Sequence, residues 1–289
     1  MEIGSGEWGA QRVTPIARGC RWSYRLPAHS SNLRLLVTKP MKIAVGAGGA
    51  GGVCAALAMA TAGFPRLACA WTAFACVIAS LAYLANRPAW LGKRGGRLRL
   101  PALAVLPYLV AFHVACVLMR WWRGEDRPSQ VAPDLWVAGR LRSADLPPGV
   151  TYVVDLTAEF SEVAAIRRLP GYRSLPVLDG GFPAAEETFL TLVCELVEAD
   201  GGVLVHCDAG RGRAPTFAAA LCIARGFVLE VEEAIALVRM RRKVSTPTGS
   251  DLAFLAAVCP KLRAIAAARA QACLSPRVVC TKMLLGEHQ

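Results

Sequence analysis

The chain has 289 residues, 54% of them hydrophobic, and a formal net charge of +12. The excess is local: residues 1–130 carry 16 Lys/Arg against 4 Asp/Glu, and residues 131–289 carry 17 against 17. Basic charge beside long apolar runs, with no stripe of basic and aromatic residues in the second part, argues for membrane flanks and against a nucleic-acid partner.

The first 40 residues are rich in arginine and hold no apolar core of a signal peptide, so a poorly ordered tail is expected there. Residues 41–127 read as a membrane region. "IAVGAGGAGGVCAALAMATAGF" (43–64) and "LACAWTAFACVIASLAYLA" (67–85) hold no charge, and each is long enough to span a hydrocarbon core as a helix. With only Pro65 and Arg66 between them, they predict a helical hairpin, and the small-xxx-small pair Gly48 and Gly52 predicts close approach.

A third apolar run, 100–119, contains Pro107 and His113. Lys39 and Lys42 precede the first run, Arg87, Lys93 and Arg94 follow the second, and Arg120 and Arg123 follow the third. The positive-inside rule places all of these on the cytoplasmic side. Two spans plus a re-entrant or interfacial third segment satisfy it. A third span would export the second part with its free cysteines into an oxidising space. Trp121 and Trp122 then belong at headgroup level.

From about residue 131 the pattern changes. "LWVAG", "YVVDL", "RSLPV" and "GVLVH" read as strands, and "AEETFLTLVCELVEA", "APTFAAALCIARG", "EVEEAIALVRMRRK" and "SDLAFLAAVCPKL" as helices. The alternation predicts an α/β domain over 128–270, a central mostly parallel sheet flanked by helices, with 271–289 as a tail. None of the eleven cysteines forms a CxxC pair or a zinc-like spacing with histidine, so no structural metal and no disulfide framework is expected.

"VLVHCDAGRGRAP" lies where a strand ends and a helix begins. Ligands of open α/β sheets bind at such carboxyl ends, and helix N-termini suit oxyanions. Gly210 and Gly212 let successive amides turn inward, and Arg213 offers a two-pronged guanidinium. Among such donors Cys207 is expected to be a thiolate, and a thiolate beside a bound phosphate is a nucleophile for phosphorus.

These residues resemble the protein tyrosine phosphatase superfamily, whose signature His-Cys-x5-Arg is matched at His206, Cys207, Gly210 and Arg213. "APDLWVAGRL" and "YVVDLTAEF" resemble the first strands of its dual-specificity branch, and the likeness covers about residues 131–265. Bacterial members with an N-terminal membrane segment share the arrangement, which implies a bacterial inner membrane with the catalytic part on the cytoplasmic side. The resemblance implies a phosphate cradle of Asp208, Ala209, Gly210, Arg211 and Gly212, with His206 behind the sulfur and no metal or organic cofactor. It also implies an aspartate acid roughly thirty residues before the cysteine. Asp179, in "LPVLDGGFP", is twenty-eight before it on a turn expected to be mobile, and Asp155 is the second choice.

Two departures stand out. Ala214 replaces the hydroxyl residue that usually follows the arginine, with Thr216 as a possible substitute, and Asp208 places a carboxylate at the pocket. The expected function is a membrane-anchored, cysteine-dependent phosphomonoesterase acting on a phosphoprotein or a lipid phosphate. The alternative is a phosphate-binding pseudophosphatase.

Overall fold

The computed structural model describes residues 39–123, 127–141 and 146–284. The expected tail lies outside them up to residue 38. Two long helices come first, α1 (Lys39–Ala60) and α2 (Gly63–Leu84). The turn falls at Thr61 and Ala62 rather than at Pro65. Gly63 takes the left-handed conformation (φ 65°), and Pro65 is accommodated in the first turn of α2, where its missing N–H has no helical acceptor to lose.

The two helices touch along a seam. A Cβ at Gly51 would stand 3.1 Å from the Cys76 Cβ, one at Gly48 3.4 Å from the Ser80 hydroxyl, and Ser80 donates to the Ala44 carbonyl at 2.8 Å. Gly52 has nothing within reach, so the close approach is made by Gly48 and Gly51 instead of the expected pair. Both helices are long and apolar enough to cross a membrane.

A short β1 (Lys93–Arg94) and β2 (Arg97–Leu98) ribbon follows, then α3 (Leu106–Arg123). The third apolar run is thus broken at its start by a 3-10 turn (Leu100–Leu103). Pro107 sits in the first turn of α3, where it is tolerated. Val105, Tyr108, Leu109 and Cys116 form a buried stripe, while Val110, Val114, Val117, Leu118 and Trp121 are bare on the other side. The buried stripe packs against the rest of the chain. Tyr83, Tyr108, Phe112 and Phe160 make a chain of ring contacts at 5.8 to 6.5 Å between centroids.

The remainder is a five-stranded sheet with helices. Strands β3 (Ser129–Ala132), β4 (Leu135–Ala138), β5 (Val150–Thr157), β6 (Gly171–Val177) and β7 (Gly202–His206) lie in the order β3-β4-β7-β5-β6. β4, β7, β5 and β6 are mutually parallel, and β3 pairs antiparallel with β4, which makes the sheet mixed. All five residues of β7 are buried, as a central strand requires. The helices are α4 (Ala164–Arg167), α5 (Glu186–Val197), α6 (Arg213–Ala224), α7 (Val231–Arg241) and α8 (Gly249–Leu284). α8 runs on through most of what the sequence assigned to a tail.

Candidate active site

The β7–α6 loop is built by the geometry its glycines permit. Gly210 has φ 61°, and a Cβ there would collide with the Ala138 carbonyl at 2.6 Å. The Arg242 guanidinium, 2% exposed, donates from Nε to the Gly210 carbonyl at 2.7 Å and from Nη1 to the Ser129 hydroxyl at 3.1 Å. Pinned in this way, the loop turns the Gly210 N–H onto the Cys207 sulfur at 3.2 Å. The Arg140 N–H holds the Asp208 carbonyl at 2.9 Å, and the Arg211 carbonyl takes the Thr246 N–H at 2.7 Å. Gly212 is the N-cap of α6, so the free amides of that helix start where the loop ends.

Arg213 is the first residue of α6 and is 5% exposed. Its Nη1 donates to the Val177 carbonyl (2.5 Å), the Glu159 Oε2 (3.1 Å) and the Leu156 carbonyl (3.3 Å). Its Nη2 lies 3.6 Å from Asp179 Oδ1. Burial disfavours the cation, but Glu159, Asp179 and Cys207 around it outweigh that and push its pKa up, so it stays charged. Glu159 ties the parts together. One of its oxygens takes Arg213, and the other takes the Asp179 N–H at 2.8 Å and the Tyr83 hydroxyl at 3.0 Å.

Asp179 therefore lies beside the arginine, on a turn that was expected to be mobile and is held by hydrogen bonds. The Gly180 carbonyl accepts from the Ser250 hydroxyl at 3.1 Å, and the Gly181 N–H donates to the Leu178 carbonyl at 2.9 Å. Lys39 Nζ, from the first residue of α1, sits 2.9 Å from the carboxylate. Burial alone would push this acid up, but Arg213 and Lys39 prevail and hold it below the ordinary carboxylate range. A small cavity beside the guanidinium is lined by Leu156, Val177, Phe182, Phe217 and Phe254.

The other expected residues are distributed around this centre. Asp208 is paired with Arg120 of α3, whose Nη2 reaches its Oδ1 at 2.8 Å and its carbonyl at 3.2 Å, so the carboxylate enters the site already neutralised. Ala209, Arg211 and Gly212 are partly exposed along the loop. His206 is wholly buried and faces Glu162 Oε2 at 3.1 Å, beneath the loop. Thr216 spends its hydroxyl proton on the Gly212 carbonyl at 3.0 Å, one turn back in the helix, and so does not offer it to the sulfur.

Asp155 is 0% exposed and is bound by Lys93 Nζ (2.6 Å), the Tyr172 hydroxyl (2.8 Å) and Thr157. Burial pushes its carboxyl up, but Lys93 overrides this and holds it at about 2. A fully enclosed, fully paired carboxylate cannot reach a leaving group, which removes it as the second choice of acid. Asp155, Glu162 and His206 place ligand atoms within 4.8 Å of one another, as a metal would need. The Lys93 ammonium already supplies the positive charge there.

Glu159, Lys39, Arg120, Arg242 and Lys93 were not singled out for this site from the sequence. Glu159 carried one signal, an acidic residue just past the end of an apolar strand and therefore at the sheet edge that binds ligands.

Residues 142–267 match the family model PTP-SAK, described as Swiss Army Knife protein, DSP-PTPase phosphatase domain. No curated protein matches the chain. Among solved structures, human DUSP28 is similar at 24% identity over 47% of this chain and 95% of its own, with a TM-score of 0.38. A mouse putative dual specificity phosphatase complexed with zinc tungstate is similar at 24% over 49% and 91%, with a TM-score of 0.40. PTPMT1 in complex with PI(5)P is similar at 19% over 48% and 98%, with a TM-score of 0.41. The domain that residues 142–267 match is described as a phosphatase of dual-specificity type.

Proposed function

We propose that the chain is a membrane-anchored phosphatase that hydrolyses phosphomonoesters of proteins or lipids through a phosphocysteine. The observation that carries this reading is the Gly210 N–H aimed at the Cys207 sulfur, at the head of a helix whose first residue is the buried Arg213. The amides and the guanidinium hold the phosphoryl oxygens. The Cys207 thiolate attacks phosphorus, an S–P bond forms, and the P–O bond to the leaving group breaks. The leaving oxygen takes the proton of Asp179. Water then attacks the phosphocysteine and gives its proton to the Asp179 carboxylate. The S–P bond breaks, releasing inorganic phosphate and restoring the thiolate.

α1 and α2 are the proposed membrane hairpin, and α3 lies along the interface with its bare apolar face toward lipid. The basic flanks support a cytoplasmic catalytic side, and the composition gives no support to a nucleic-acid partner.

The test is phosphate release from para-nitrophenyl phosphate by the full chain in detergent or lipid nanodiscs. The full chain is needed because Lys39, Tyr83, Lys93 and Arg120 all reach the catalytic part. Cys207→Ser is expected to abolish release and retain binding of a phosphorylated substrate. Turnover by Cys207→Ser equal to that of the parent would refute the mechanism. A second reading, phosphate binding without turnover, is favoured by Ala214 together with the committed hydroxyl of Thr216. Phosphate bound but never released from substrate would select it.

A further inference from the structure

The geometry points to Lys39, the first residue of the proposed membrane hairpin, as a positioning residue for proton transfer: it fixes the Asp179 carboxylate over the mouth of the site and sets the pH at which the acid is lost. This rests on Asp179 being the acid of the reaction proposed above.

Asp179 is gripped from several elements. Lys39 Nζ of α1 lies 2.9 Å from the carboxylate and Arg213 Nη2 of α6 lies 3.6 Å from it. Glu159, after β5, holds the Asp179 N–H and adds a like charge close by. Tyr83 of α2, Tyr108 and Cys116 of α3 and Asp251 of α8 are the other titratable groups around it. Of the two cations, Arg213 is already committed through Nη1 to Glu159 and two carbonyls, and a bound phosphate dianion would claim what remains. Among the described residues Lys39 hydrogen-bonds to Asp179, and its charge also reaches Asp251 of α8 more weakly.

The fit is steric as well. The Lys39 stem lies over Gly180, where a Cβ would stand 2.7 to 2.8 Å from its carbons, and Gly180 has φ 75°. The turn is thus shaped to receive the lysine. A proton donor must be protonated to act. A neighbouring cation favours the carboxylate, so it lowers the pH above which the donor is lost. An arginine would keep that effect, and an uncharged chain of similar length would remove it.

The experiment compares the parent chain, Lys39→Met, Lys39→Arg and Asp179→Asn in nanodiscs, over a pH series. Phenyl phosphate requires protonation of its leaving oxygen, and para-nitrophenyl phosphate requires it far less. With phenyl phosphate, Lys39→Met is expected to move the alkaline limb of kcat/KM up by about one pH unit, the low end for an adjacent charge because Lys39 is half exposed. Lys39→Arg should keep the parent limb, and with para-nitrophenyl phosphate the limb should barely move.

An unmoved limb for Lys39→Met with phenyl phosphate, while Asp179→Asn is slow, overturns the role of Lys39 and leaves the acid in place. Equal rates for Asp179→Asn and the parent on phenyl phosphate overturn the acid assignment, and this inference with it. If the chain binds phosphate without turning over, carbon-13 NMR titration of the Asp179 carboxyl, assigned with Asp179→Asn, reads the same shift directly. No difference between the parent and Lys39→Met in that titration also overturns it.

Discussion

Helices α6 and α2 are both runs of alanine and aliphatic residues, yet α6 is buried at all twelve positions while α2 buries five of twenty-two. α6 is enclosed by β4, β7, α5, α7 and α8, whereas α2 meets α1 on one side and little else along most of its length. Apolar composition is therefore common to both, and the number of packed neighbours separates them. A helix that is apolar all round needs an apolar surrounding from somewhere. α6 finds it in the protein; the exposed Trp71, Phe74, Val77 and Leu81 of α2 have no such cover there, and the proposed bilayer would supply it.

A buried charge separates the two helices most sharply. Ala219→Lys places an ammonium at a wholly enclosed position of α6 and is expected to prevent folding in detergent and bilayer alike, read by loss of resistance to trypsin. Phe74→Lys, midway along α2, should leave the detergent-purified chain folded and cost about 2.5–3.5 kcal/mol in a membrane-insertion assay. Equal damage from both substitutions in detergent would mean that α2 is a core helix after all.

Lys93→Met tests the place where the N-terminal half meets the sheet. Removing one member of a buried ion pair leaves Asp155 enclosed without its cation, a loss of about 3–5 kcal/mol in chemical denaturation at neutral pH. The sign with pH follows from the Asp155 carboxyl. Its folded pKa of about 2 lies below the roughly 3.9 of an unfolded chain, so its contribution is full above the unfolded value and is lost as pH falls toward 2. The penalty of Lys93→Met should accordingly shrink below about pH 4. A constant penalty across that range would show that Asp155 is not the group relieved.

The smallest expected effect concerns the helix start itself. Ala214→Ser introduces a hydroxyl in the first turn of α6 that Thr216 does not supply to the sulfur, and in the proposed reaction should raise the rate of phosphoenzyme hydrolysis by about tenfold, the worth of one hydrogen bond. Single-turnover kinetics would separate that step from the first.

What could be read from the sequence follows the same division. Cys207 and Arg213 were legible because a single loop carries both, and their spacing survives folding unchanged. The strands β4 to β7 and the helices α5 to α7 were legible from their periodicity. β3 was not, since four residues beside a polar linker carry no pattern. Lys39, Lys93 and Arg120 were read only as flanking charges of apolar runs. A lysine that orients a membrane segment and one that binds an aspartate 140 residues away look identical in one dimension. Glu159 was hidden for a related reason, because its partners Arg213, Tyr83 and the Asp179 amide come from three distant stretches.

Lys93, from the β1–β2 ribbon, is buried against the end of β5. A protease that cut the connection between α3 and β3 would not shed a working soluble enzyme. The released piece would carry Asp155 without its counter-ion, and would have lost Lys39 from the acid and Arg120 from the loop. Cleavage at that point followed by separation of the pieces would extinguish the proposed activity instead of liberating it.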